Sequence, residues 1–245
     1  MAGHVLVADR PLDKAGAQVP VDADLRVRGI RAFASRGGDK LAFALLCFGI
    51  EAHGRIALDA GASTGGFTDC LLRHGAARVY AVEVGFGQLL GRLRQDPRVV
   101  SMERTNIGDL GAESLRPAPD LVTLDLSYLP LGTAWRTIQP LLAAGTDIVS
   151  LVKPLFEVDD GRARRTGIIE GAAPYLDLLA RLVDECVSMG WSALGVAASP
   201  IRGSRGTVEF LLHARNSPHV GDRPDVHAAV EAAVNPADGA TGPAI

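Results

Sequence analysis

The chain has 245 residues, 47% of them apolar, and a formal net charge of −3, enough for one substantial α/β core with a small appendage. Residues 1–215 carry acids and bases in equal number, and the excess acid lies beyond Asn216, so composition gives no electrostatic footprint of a nucleic-acid binder. The three cysteines (Cys47, Cys70 and Cys186) are scattered. That argues against a disulfide framework or a structural zinc site and fits a reducing cytoplasm. No apolar run is long enough to span a membrane, and the N-terminus lacks the features of a signal peptide.

Residues 1–30 contain short β-like pieces broken by Pro, Gly and Asp, and predict a small β unit. From residue 40 to 215 apolar runs alternate with amphipathic stretches. "RIALDAG", "RVYAVEVG", "VVSMERT", "LVTLDLS", "DIVSLVK", "SALGVAAS" and "TVEFLLHA" read as seven strands, several of them nearly continuous in apolar residues, as strands buried on both faces are. "DKLAFALLCFGI", "GGFTDCLLRHG", "GQLLGRLRQD", "TAWRTIQPLLAAG" and "APYLDLLARLVDECVSMG" read as helices. This alternation predicts a doubly wound, mostly parallel α/β sheet, and the loop "PIRGSRG" between the last two strands suggests a hairpin with an antiparallel edge. Residues 216–245, rich in Ala, Pro, Gly and Asp and weakly periodic apart from "DVHAAVEAAV", are expected to be mostly disordered.

"ALDAGASTGGFTDCLL" joins a strand, a Gly-rich turn and a helix start. Gly61, Gly65 and Gly66 permit positive φ and close backbone approach. Asp59 stands at the strand's end, where open α/β sheets bind ligands, and Glu83 ends the next strand, where an acid can accept from ribose hydroxyls. An acid in the turn repels phosphate and suits a cation such as a sulfonium, which points to S-adenosylmethionine rather than NAD. Asn106 and Ile107 follow the third strand. A Gly-rich turn alone is weak evidence, since its glycines also serve simple helix-on-strand packing.

Of the 25 basic residues only Lys14, Lys40 and Lys153 are lysines. Lys153 ends the fifth strand, Asp125 ends the fourth, Lys40 opens the helix before the first, and Glu209 sits in the last strand among apolar neighbours. These four residues can converge on one cleft, or form two ordinary ion pairs. A guanidinium stays protonated, whereas an ammonium sheds its proton when burial and a neighbouring cation lower its pKa. Lys153 is therefore the candidate base for an attacking alcohol.

"ASRGGDKLAFAL", "LDAGASTGGFTDCLLRHGAARVYAVEVGFGQL", "RTNIGDL", "LDLSYLPL", "LVKPLFE" and "GTVEFLL" together resemble the TlyA (hemolysin A) family of FtsJ-like ribosomal RNA 2′-O-methyltransferases, over residues 1 to about 215. The resemblance implies a Rossmann-like class I methyltransferase domain at 31–215. It implies a catalytic tetrad of Lys40, Asp125, Lys153 and Glu209, and S-adenosylmethionine held by Asp59, Gly61, Ser63, Thr64, Gly65, Gly66 and Phe67. Glu83, Val84, Asn106, Ile107 and Asp125 would complete that site. The implied partner is ribosomal RNA or a ribosomal subunit. Residues 1–30 resemble only the closing β part of the family's S4-type RNA-binding domain, and its basic helix pair is missing from the sequence. A small-molecule acceptor, or a non-catalytic RNA-binding role, is the competing reading. Local basic clusters ("RVRGIRAFASRGG", "GRARRTG") are candidates for an RNA patch, and "FEVDDGRARRTGIIEG" for a mobile loop over the site.

Overall fold

The computed structural model describes residues 5–7, 10–11, 17–27, 32–127, 129–203, 206–217 and 223–234. The chain separates into two compact units, Met1–Ala32 and Phe33–Ile245. In the first, β1 (Val5–Val7), β2 (Arg10–Pro11) and β3 (Leu25–Val27) form an antiparallel sheet in the order β2-β1-β3.

The second unit holds a seven-stranded sheet of β4 (Ile56–Ala60), β5 (Arg78–Glu83), β6 (Val99–Glu103), β7 (Leu121–Leu124), β8 (Asp147–Val152), β9 (Ser192–Ala198) and β10 (Phe210–Arg215). Their order is β6-β5-β4-β7-β8-β10-β9. β4 to β8 are parallel, and β10 runs antiparallel between β8 and β9. The hairpin expected from the sequence thus places its reversed strand one position in from the edge. The chain winds outward from β4 through β5 to β6, then returns to β7 on the other side of β4. That reversal opens a crevice outside the carboxyl ends of β4 and β7, where such sheets bind ligands.

Helices cover both faces. α1 (Arg36–Phe48), α2 (Gly66–Arg73) and α3 (Gly91–Arg94) bury Leu41, Leu45, Phe67, Leu71 and Leu93 on one side. On the other, α4 (Leu131–Ile138), α7 (Ala173–Ser188) and α8 (Val226–Val234) bury Trp135, Leu179, Leu182 and Val230. Trp135 is fully enclosed, and its Nε1 donates to Ser150 Oγ at 3.0 Å, so the one polar atom it carries inward is satisfied. α5 (Pro154–Glu157) and α6 (Gly161–Thr166) fill the segment after β8.

Three expectations change. α8 shows that residues 226–234 are ordered against the core, because Ala229, Val230 and Ala233 form a buried stripe; residues 235–245 lie outside the described residues. The stretch "FEVDDGRARRTGIIEG", expected as a mobile loop, holds the end of α5 and the whole of α6, the second capped by Asp160, whose Oδ1 accepts from the N–H groups of Arg162 and Ala163. The helix expected over "GQLLGRLRQD" is a single turn that begins only at Gly91, and Gly87, at φ +70°, lies outside it.

Candidate active site

The β4–α2 turn is built by close backbone approach. Gly61 has φ +87°, and a side chain there would begin 2.5 Å from the Asp125 carbonyl oxygen, so only glycine lets the ends of β4 and β7 touch. The N–H groups of Gly61 and Ala62 donate to Val82 O at 2.9 and 3.1 Å, which lays the turn across the end of β5. Ser63 N then donates to Glu83 Oε2 at 3.0 Å, and Gly85 N to Glu83 Oε1 at 2.8 Å. Glu83 is thereby aimed into the crevice with acceptor lone pairs to spare. Ser63 and Thr64 are exposed on the turn, as are Val84 and Asn106 beyond β5 and β6.

Other predicted residues act from beneath. Asp59 is wholly buried, accepting from Thr68 Oγ1 at 2.6 Å and Thr123 Oγ1 at 3.2 Å. Burial, opposed by these hydroxyls and reinforced by the charge of Asp125, pushes its carboxyl up to about 7. It braces the turn and does not line the crevice. Phe67 is a core residue, 3% exposed. Gly65 and Gly66 are packing positions, because side chains there would collide with Leu93 and Ser35. Ile107 is buried below Asn106, which caps its own turn by accepting from Gly108 N at 2.9 Å.

The four tetrad residues resolve into two ion pairs. Lys40 Nζ bonds Glu209 Oε2, both side chains nearly sealed from solvent. Lys40 is set by the entry to α1, where Ser35 Oγ accepts from Gly37 N and the buried Asp69 accepts from Ala34 N at 2.8 Å. Arg92 and Arg73 neutralise Asp69 in turn; burial works against its ionisation, but their hydrogen bonds and charges win and lower its pKa. Lys153 Nζ lies 2.5 Å from Asp125 Oδ1 and donates to Leu126 O at 3.2 Å and Ser127 Oγ at 3.3 Å. Asp125 Oδ1 is closed to solvent and receives no aligned hydrogen bond, so its contact with Lys153 is ionic in character. The two pairs adjoin in the sheet: Phe210 pairs with Val152 across β10 and β8, and Glu209 and Lys153 are the residues immediately beyond that pair.

Ser127 and Leu126 were not singled out from sequence, although their adjacency to Asp125 in "LDLS" was the available signal. Glu103 was also missed; its Oε1 accepts from Gln88 N and Leu89 N, fixing the loop beside Glu83. An acid closing the third strand, as Glu83 closes the second, was its sequence mark. Among the described residues there is no cluster able to hold a metal ion and no helix long and apolar enough to cross a membrane. The three cysteines are free thiols.

The donor set fits S-adenosylmethionine. Carboxylates at Asp125 and Glu83 suit a cationic sulfur and a ribose diol, and the exposed Val84 offers an apolar surface next to Glu83. A switch-point crevice of this chemistry on this sheet order defines an S-adenosylmethionine-dependent methyltransferase. The family model for FtsJ-like methyltransferases matches residues 33–216. The 16S/23S rRNA (cytidine-2′-O)-methyltransferase TlyA of Mycobacterium tuberculosis is 42% identical over 216 residues, covering 87% of this chain and 81% of the relative. Hemolysin A of Brachyspira hyodysenteriae is 38% identical over 182 residues, 74% of this chain and 76% of its own. A hemolysin-designated protein of known structure from Streptococcus thermophilus matches with a TM-score of 0.79 at 34% identity, covering 94% of this chain and 86% of that one. The chain belongs to the TlyA family of FtsJ-like methyltransferases.

Proposed function

We propose that this enzyme methylates a ribose 2′-hydroxyl of ribosomal RNA in the cytoplasm, with Lys153 as general base. The observation that carries the reading is the setting of Lys153. It stands at the carboxyl end of β8, 17% exposed, held by one carboxylate, one carbonyl and one hydroxyl at the mouth of the crevice. The family's TlyA relatives, named as rRNA (cytidine-2′-O)-methyltransferases, supply the substrate class.

When bound, S-adenosylmethionine supplies an electrophilic methyl on a cationic sulfur. In this reading the exposed part of the turn, Ser63 and Thr64 beside Gly61, holds it, with Glu83, Val84 and Asn106 around its nucleoside and Asp125 near the sulfur, while Asp59, Gly65, Gly66, Phe67 and Ile107 shape that surface from beneath. Asp125 fixes the Lys153 side chain at the crevice. Neutral Lys153 Nζ would take the proton of the attacking hydroxyl as its oxygen bonds to the methyl carbon and the methyl–sulfur bond breaks, its electron pair staying on sulfur, which leaves as a neutral thioether. General-base help of this kind is worth roughly 10²–10⁴-fold. Lys40 and Glu209 cancel each other's charge, so their contribution is the floor on which Lys153 and Asp125 are set. We read residues 1–30 as resembling the closing β part of an S4-type domain.

The test is transfer of labelled methyl into purified ribosomal subunits, followed by nuclease digestion. A labelled, nuclease-resistant dinucleotide supports ribose methylation. Label confined to a base, or absent from RNA, contradicts it and favours a small-molecule acceptor.

A further inference from the structure

The turn after β8 carries an acid that the tetrad does not use. Glu157 closes α5, four positions after Lys153, with 6% of its side chain exposed. Its Oε1 accepts from Leu131 N at 2.8 Å. Leu131 is the first residue of α4, whose N-cap position is Pro130 and provides no side-chain cap. Helix starts leave N–H groups without intrahelical partners, and their positive end favours a carboxylate; here another element supplies it. Arg181 of α7 holds the far side, with Nη2 3.7 Å from Oε2 and donating to the Glu157 carbonyl at 3.3 Å. Arg181 and Glu185 are 3.9 Å apart, and Glu185 pairs with Arg136 of α4 at 2.7 Å.

Lys153 and Glu157 therefore hold the two ends of one connection. Lys153 reaches Asp125, Leu126 and Ser127 where the chain leaves β7, and Glu157 reaches Leu131 where it enters α4. We propose that Glu157 is a positioning residue for methyl transfer: by tying the start of α4 to the Lys153 turn, it sets the contact between Lys153 and Asp125. The proposal rests on Lys153 being the base. Burial raises the carboxyl pKa of Glu157, opposed by the Leu131 N–H and Arg181 and reinforced by Glu185, so its essential property is a correctly placed acceptor oxygen, which glutamine also has.

The groups that bear on Lys153 are Asp125 just past β7, Glu209 just before β10 with its partner Lys40 from α1, and the Phe156 ring at 5.9 Å. Loosening Asp125 removes a carboxylate that favours the charged ammonium. The experiment compares wild type, Glu157→Ala, Glu157→Asp, Glu157→Gln and Lys153→Arg as full chains. It reads kcat against pH, KM for RNA, cofactor affinity by calorimetry, and thermal unfolding. Glu157→Ala and Glu157→Asp, which lacks the reach, are expected to lose about 10- to 100-fold in kcat with cofactor affinity retained. Their rising pH limb is expected to move about one unit towards acid. Glu157→Gln is expected to stay within about threefold of wild type with the limb unmoved. Folded Glu157→Ala or Glu157→Asp with wild-type kcat and an unmoved limb overturns the proposal, and so does a Glu157→Gln as impaired as Glu157→Ala. Wild-type activity in Lys153→Arg is a separate result that removes the base reading itself.

Discussion

β8 carries a charge at each end, and the two are treated differently. At its start, Asp147 is 6% exposed and fully engaged. Oδ1 accepts from His213 Nε2 at 3.0 Å and Arg215 Nε at 2.9 Å, and Oδ2 from Arg55 Nη2 at 3.2 Å. Burial opposes ionisation there, but the hydrogen bonds from His213 and Arg215 and the guanidinium charges outweigh it and bring the pKa down to about 2. Past the other end, Lys153 is partly open and faces a carboxylate oxygen without an aligned hydrogen bond. A saturated charge at the amino edge is frame, whereas the charge past the carboxyl edge keeps contacts to spare at the crevice. Arginines with their fixed forks of donors fill the first setting and a lysine the second.

The largest stability effect should come from breaking the saturated end. Asp147→Ala leaves His213, Arg215 and Arg55 facing one another and should cost about 3–5 kcal/mol in denaturant unfolding. Because the folded pKa of Asp147 lies below its unfolded value of 3.8, its contribution is present above about pH 4 and fades as pH falls through 2. The variant should lose that acid limb. Asp59 has the opposite sign. Its folded pKa of about 7 exceeds the unfolded 3.8, so the folded state holds the extra proton and stability declines as pH climbs between those values. Asp59→Asn should be more stable than wild type at pH 8, by a few kcal/mol at most at about 1.4 kcal/mol per pKa unit, and should flatten the slope between pH 4 and 7. An unchanged slope would show that Asp59 carries no such penalty. The smallest effect is expected at the solvent: Arg162 and Glu170 are both 72% exposed, and Arg162→Ala should shift unfolding by less than about 1 kcal/mol.

The strands were legible because residues such as "DIVSLV" are apolar on both faces, and strand ends could be matched to a crevice by topology alone. Lys40, Asp125, Lys153 and Glu209 were legible as a set because lysine is rare in this chain. Their pairing was not, since nothing in "GTVEFLL" says that Glu209 turns to Lys40. Asp59 and Phe67 looked like crevice residues because a motif does not record which side of the turn a side chain takes. Glu157 was invisible as anything but a surface acid, because its partner Leu131 lies 26 positions away and contributes only a backbone N–H. α8 was underestimated because alanine-rich stripes are weakly hydrophobic until a partner surface covers them.

If Lys153 is the base, it must give up its proton before the hydroxyl attacks, and a guanidinium in its place does not. Single-turnover methyl transfer by Lys153→Arg, with cofactor binding measured in parallel, is the decisive measurement. Undiminished cofactor binding and a rate at least about 100-fold below wild type are expected, because the guanidinium keeps the charge and surrenders the base. A rate equal to wild type would rule Lys153 out as the base.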